Sequence, residues 1–253
     1  MRRIKKLFST PSLKVIPFIT AGYPGKKDTL DIVLAADSAG AAMIELGMPF
    51  SDPLADGPII QQSSQVAIEN GVNINWILET VEKVRLKSEI PIALMGYINP
   101  IIKYGLIKFI RECARVGVDG LILPDVPPEE AKEYVMLAKQ NNISPILLVA
   151  PNTSNIRISE ISEMACDLIY CVSIMGITGS RSRASNIEVY LKRVEKYSKC
   201  PFVVGFGINN RSDVIHINKL SHGAVIGSAI IQAVRDGGDP SVVVSNYIKG
   251  LLE

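Results

Sequence analysis

Short apolar runs rich in Val, Ile and Leu return along the chain at a regular beat. Each is followed by a Gly, Pro or Asp turn and then by a stretch with helical periodicity. The runs predict strands over Val15–Thr20, Ala42–Gly47, Ile92–Gly96, Gly120–Leu123, Pro145–Val149, Leu168–Ser173, Phe202–Phe206 and Ala224–Gly227. Most are apolar without alternation, as parallel strands covered on both faces are, which disfavours an antiparallel sandwich. Amphipathic helices are predicted over Lys27–Ser38, Ile74–Lys87, Leu106–Val116, Pro128–Asn141, Ile156–Met164, Ile187–Ser198 and Arg211–Leu220, with a last one near Ser241–Leu252. Thr153 and Ser154 supply one helix start, and Pro127-Pro128-Glu129-Glu130 another. Arg3–Ser9 carries a weaker helical pattern and is placed as a cap over the N-terminal mouth of the fold. Eight such units, with no G-x-G-x-x-G after the first strand, favour a single (β/α)8 TIM barrel over residues 1–253 rather than a doubly wound open sheet.

Composition agrees. The chain has 253 residues, the size of one such barrel, and no linker-like stretch divides it. Hydrophobic residues make up 47%, enough for a core of that size. Lys and Arg number 27 against 25 Asp and Glu, and beyond Arg2, Arg3, Lys5 and Lys6 they are scattered, so there is no basic stripe for nucleic acid. No apolar run reaches the roughly 18 residues that argue for a membrane span. Cys113, Cys166, Cys171 and Cys200 include no C-x-x-C pair, and no apolar leader opens the chain, which points to a cytoplasmic protein. His216 and His222 have no Cys or carboxylate at ligand spacing, so no metal site is expected.

In a barrel of this kind the strand C-termini and the loops after them form the active face. The second strand places Glu45 among Ile44, Leu46 and Gly47, near that end. Desolvation there disfavours its charged form, which suits a general acid/base, although a structural hydrogen bond would also explain it. The loop that follows, Met48 to Pro58, is long, carries three prolines and adds Asp52 and Asp56. Glycines open three neighbouring loops further on: Gly176 and Gly179, Gly205 and Gly207, and Gly227 ahead of Ser228. Three such loops in register make a cradle where backbone N–H groups and a helix start hold a phosphate. Arg181 and Arg183 are either a solvated loop or a further contact to that phosphate. Tyr97 and Asn99 are either site residues or packing, and Asp125 is as well suited to capping a helix start as to a site.

The stretch Glu45–Pro58, ELGMPFSDPLADGP, resembles the E-L-G-x-P-F-S-D-P-x-A-D-G-P signature of the tryptophan synthase α chain family. Further agreement comes from Pro17–Pro24, Met95–Pro100 and Pro124–Pro127, and from the glycine loops. The resemblance implies retro-aldol cleavage of indole-3-glycerol phosphate to indole and glyceraldehyde 3-phosphate, with Glu45 and Asp56 as the catalytic pair. It implies an indole pocket of Phe18, Tyr97, Leu123, Leu148 and Tyr170, and a phosphate held by Gly179, Gly207, Gly227 and Ser228. It also implies that Thr178 meets Asp56 when the polar segment 179–186 closes as a lid. A β subunit carrying pyridoxal phosphate is implied as partner in an α2β2 assembly, touched by Asp52 and Pro53, while this chain needs no cofactor. Two other readings stay open. Another sugar-phosphate epimerase or isomerase would use a different acid/base pair and leaves the Pro-Phe-Ser-Asp-Pro loop unexplained, and a silent subunit would not need both Glu45 and Asp56.

Overall fold

The computed structural model describes residues 2–165, 167–172, 181–205 and 207–253, the side chains of 181–186 excepted. Eight strands close a barrel: β1 (Val15–Thr20), β2 (Ile44–Gly47), β3 (Ile92–Met95), β4 (Gly120–Ile122), β5 (Ser144–Val149), β6 (Ile169–Val172), β7 (Phe202–Gly205) and β8 (Ala224–Ile226). Every pairing is parallel, and β1 meets β8 to complete the ring. Closure removes both sheet edges, and nearly every strand residue is buried, which is why the runs are apolar on both faces.

Around the strands lie α1 (Arg3–Leu7), α2 (Asp28–Ser38), α3 (Pro58–Glu69), α4 (Ile74–Arg85), α5 (Ile98–Tyr104), α6 (Leu106–Val116), α7 (Lys132–Gln140), α8 (Asn155–Ala165), α9 (Arg181–Tyr197), α10 (Arg211–Leu220), α11 (Ser228–Arg235) and α12 (Pro240–Leu252). Their starts follow local chemistry. Asn73, Asn210 and Asp239 accept backbone N–H groups of the first turns of α4, α10 and α12, and Ser154 accepts that of Arg157 in α8. Pro58 and Pro240 stand at the first positions of α3 and α12, where a missing N–H does no harm.

Three helices go beyond what periodicity predicts. α3 (12 residues) and α5 (7 residues) lie within what read as extended strand-to-helix connections, and α11 follows β8 directly, its start at Ser228 marked by the glycine ahead of it rather than by periodicity. α7 begins four residues later than Pro128, because Pro127–Ala131 is spent in turns. α9 begins at Arg181 rather than Ile187, so residues 181–186 of the expected lid are helical. Arg-Ser-Arg-Ala-Ser-Asn contains neither Gly nor Pro to stop a helix.

α1 closes the N-terminal mouth, as its pattern suggested. Ile4 is fully buried, and its Cδ1 lies where a side chain at Gly120 would be, beside Ala93 and Ile146. The small residues Ala93 and Gly120, paired in register, leave room for that isoleucine. Arg3 ties the helix down through Glu89 (2.7 Å) and Asp119 (3.2 Å), and Asp119 also accepts from Arg85 (2.7 Å) and the Ile92 N–H (2.9 Å). Among the described residues no helix is long and apolar enough to cross a membrane.

Candidate active site

Alternation along β2 sends Ile44 and Leu46 to one side and Glu45 to the other, into the barrel. Register sets Glu45 beside Phe18 of β1 and Ala93 of β3, so those side chains share a face. At the C-terminal end they open into a cavity lined by Phe18, Glu45, Asp56, Ile60, Met95, Tyr170, Gly207, Ile208, Asn209, Val225, Gly227 and Ser228. A wider basin on the opposite face, between Arg2, Lys5, Lys6, Glu89 and Asn142, contains none of these residues.

Glu45 is 1% exposed, and its Oε2 has no hydrogen-bond partner among the described residues. A satisfied structural carboxylate would have one. Burial, and secondarily the Asp56 carboxylate, pushes Glu45 up to about 8 from an ordinary 4.5. The group is therefore a neutral acid at neutral pH with a proton to give.

Asp56 sits on the loop between β2 and α3, which hydrogen bonds hold in shape. Its N–H reaches the Pro53 carbonyl (3.0 Å), and its carbonyl accepts from Gln61 (2.9 Å). The Tyr97 hydroxyl donates to Asp56 Oδ2 (3.1 Å) and accepts the Ala55 N–H (3.0 Å). Burial raises Asp56 above the usual carboxylate range, and the Tyr97 hydrogen bond opposes that rise. Phe50 packs against Tyr97 with ring centroids 5.3 Å apart.

Apolar walls complete the cavity. Tyr170 is buried on β6, and a Cβ at Gly205 would lie only 1.9 Å from its hydroxyl, so only glycine fits there. Likewise the Phe18 ring lies over Gly47, where a Cβ would come within 2.4 Å. On the far side Gly207 adopts φ +77°, a conformation that favours glycine, and Gly227 leads into α11 at Ser228. The Ile230 and Ile231 N–H groups go to the Gly227 carbonyl (3.0 and 3.1 Å), which leaves those of Ser228 and Ala229, at the start of the helix, suited to an anion.

Of the residues singled out from the chain, Phe18, Glu45, Asp56, Tyr170, Gly207, Gly227 and Ser228 meet in this one cavity. Tyr97 reaches it through Asp56. Among the described residues the lining does not include Leu123, one residue beyond β4, or Leu148, half-buried on β5. Asn99 is exposed on α5. Asp125 accepts the Ile98 N–H (3.0 and 3.1 Å), so it caps α5, which follows the neighbouring strand β3, rather than the helix that follows it in sequence. Asp52 is exposed at the loop tip with Pro53 half-buried beside it, and Leu54 next to them is 94% exposed. Thr178, Gly179, Gly176 and the side chains of Arg181 and Arg183 lie outside the described residues. Ile60, Met95 and Val225 join the lining without a signal of their own in the sequence pattern. Met95 and Val225 are ordinary apolar strand residues. Ile60 belongs to α3, whose trace in the chain is Pro58 at a helix start followed by Ile60, Ser63, Ser64 and Ala67 on one buried side. No group of three metal-ligating side chains occurs among the described residues.

The profile of the family described as "Tryptophan synthase alpha chain" matches residues 5–248. A tryptophan synthase alpha chain from Petrotoga mobilis is 42% identical over 250 residues, covering 98% of this chain and 96% of its own. The crystal structure of tryptophan synthase subunit alpha from Legionella pneumophila superposes with a TM-score of 0.92 at 30% identity, over 99% of this chain and 97% of that one. A chain from the tryptophan synthase α2β2 complex of Pyrococcus furiosus, described in terms of mutual activation, superposes with a TM-score of 0.89 at 36% identity, over 94% and 97%.

Proposed function

This chain belongs to the tryptophan synthase alpha chain family, the lyase that cleaves indole-3-glycerol phosphate, and we propose that Glu45 and Asp56 are the residues that carry the cleavage. The observation behind this reading is the buried Oε2 of Glu45, without a hydrogen-bond partner among the described residues, in the same cavity as Asp56, between aromatic walls and an anion-suited helix start.

The bond between indole C3 and the glycerol chain breaks once C3 is protonated and the hydroxyl on the adjoining carbon gives up its proton. Glu45, held neutral by burial, gives its proton to C3, and the carboxylate so formed takes the hydroxyl proton as the carbonyl of glyceraldehyde 3-phosphate forms. Cleavage returns the electron pair to the ring and leaves indole. Positive charge that builds on the ring nitrogen is met by the Asp56 carboxylate, held by Tyr97. Phe18 and Tyr170 supply apolar area for the ring, while Gly207, Gly227 and Ser228 take the phosphate.

Chains of this family need no cofactor of their own. The chain pairs with a β subunit in an α2β2 assembly and passes indole to it for tryptophan synthesis. In our reading pyridoxal phosphate resides in that subunit, the loop around Asp52 and Pro53 faces it, and both proteins work in the cytoplasm. The exposure of Asp52 and of Leu54 supports such a contact.

Indole release from indole-3-glycerol phosphate tests the assignment, with and without a β subunit, for wild type, Glu45→Gln and Asp56→Asn. We expect a slow rate for the wild-type chain alone and a large increase with β. Glu45→Gln should lower the rate by about 10²- to 10⁴-fold, the range of a lost general acid/base, and Asp56→Asn on the order of 10²-fold. Full activity in folded Glu45→Gln removes Glu45 from the mechanism.

A further inference from the structure

The loop after β7 is tied from two sides, by a residue 38 positions away on the last helix and by one at the start of the helix that follows it. Tyr247, on the last helix α12, donates its hydroxyl to the Asn209 carbonyl at 2.6 Å. The Asn209 N–H goes to the Asp213 carboxylate at 3.0 Å, in the first turn of α10. Asn209 Nδ2 reaches the Gly207 carbonyl at 3.3 Å, and Asn210 accepts from the Asp213 N–H (3.0 Å) and the Ser212 hydroxyl (2.5 Å). Both backbone polar groups of Asn209 are thus spent on the scaffold, while Gly207, Ile208 and Asn209 line the cavity. The ring of Tyr247 is half-buried against the core. Burial, with Asp213 close by, pushes its hydroxyl up, so it remains a donor at working pH.

We propose that Tyr247 is a positioning residue for the phosphate end of the substrate, acting through Asn209 to hold the Gly207–Asn209 loop in its anion-binding shape. The inference rests on the reading of Gly207, Gly227 and Ser228 as the phosphate cradle. Tyr247 touches no reacting atom. A loop that must be ordered at the moment of binding binds more weakly than one already in place, and a tether across α12 removes that ordering from the binding step. Because the reacting bond lies at the other end of the cavity, beside Glu45, loosening the tether should act on affinity and leave the chemical step alone.

The test uses the full chain and the variants Tyr247→Phe, which keeps the ring and removes only the hydroxyl, Asp213→Ala, which frees the same loop from α10, and Ser228→Asp, which sets a negative charge at the cradle. Measured are kcat and KM for indole-3-glycerol phosphate, inhibition by glycerol 3-phosphate, inhibition by a phosphate-free indole with a three-carbon alcohol chain, and the thermal midpoint. For Tyr247→Phe we expect KM and the glycerol 3-phosphate inhibition constant to rise about 3- to 10-fold, the range of one lost hydrogen bond. Its kcat and its response to the phosphate-free probe should change by less than about twofold, and Asp213→Ala should give the same split. Ser228→Asp should weaken glycerol 3-phosphate by more than about tenfold, since it sets like charges together. If Ser228→Asp binds glycerol 3-phosphate as wild type does, the cradle reading falls and the inference with it. If Ser228→Asp weakens it and Tyr247→Phe does not, the cradle stands and the role of Tyr247 is overturned. A fall in kcat, or equal weakening of both probes, also overturns it.

Discussion

Glu45 owes its chemistry to its neighbours rather than to its own side chain. Strand alternation points it inward, register sets it beside Phe18, and burial holds its proton near pH 8 where an unfolded glutamate releases it near 4.5. Stability therefore depends on pH. Between those values the folded chain keeps a proton that the unfolded chain has lost, so the contribution is complete below about pH 4.5 and disappears as pH rises through about 8. Its size is on the order of a few kcal/mol, because each tenfold change in proton affinity is worth about 1.4 kcal/mol. Urea unfolding of the ligand-free chain at a series of pH values should show stability falling across this window. In Glu45→Gln the fall should shrink to the part left by Asp56, whose carboxyl is also raised. Parallel curves for the two proteins would mean that Glu45 is already ionised in the folded state. Glu45 is marked in the chain as a lone acid in an apolar strand, whereas the long proline-stiffened loop offers both Asp52 and Asp56, and only the resemblance to the family singles out Asp56.

At the scale of elements, the loop between β2 and α3 is an ordered structure despite its surface position, and Tyr97 is its main anchor. One hydroxyl serves the Ala55 N–H and the Asp56 carboxylate together, with Phe50 packed on the ring. Tyr97→Phe keeps the ring and loses both hydrogen bonds. Steady-state kinetics should show kcat lower by about 3- to 10-fold, while the thermal midpoint barely moves. An unchanged kcat would show that Asp56 finds its position without this tether. Strands are legible to within two residues because their apolar runs are self-contained. Helix limits are less so where no apolar stripe marks them. α9 runs six residues further back through a polar stretch, and α7 gives up its first turn to prolines. α3 escapes a periodicity reading because it begins where the proline-rich loop stops, and Ile60 of the cavity wall is hidden with it.

For the molecule as a whole, the two mouths of the barrel have separate duties. The N-terminal mouth is shut by α1, a five-residue helix too short to be stable alone and held by Ile4 and by Arg3 on Asp119 and Glu89. Ile4→Ala should cost about 2–5 kcal/mol in urea unfolding, the usual range for such a truncation in a core. Indole release by the folded variant should stay within about twofold of wild type, because the reacting groups are at the opposite end. A large loss of rate at conditions where the variant is fully folded would mean that the mouths are coupled.

Period, composition and turn residues along the chain are enough for the number and order of strands, for the parallel barrel, for the helix cap and for the inward placing of Glu45 and of the glycines after β7 and β8, since each is written in a few consecutive residues. Contacts between distant segments are not. Tyr97 meets Asp56 across 41 residues, Tyr247 meets Asn209 across 38, and Asp125 caps α5 rather than its own helix. Those pairings exist only once the barrel has closed and brought neighbouring strand ends within hydrogen-bond reach, and nothing in a local pattern says which polar group will be found there.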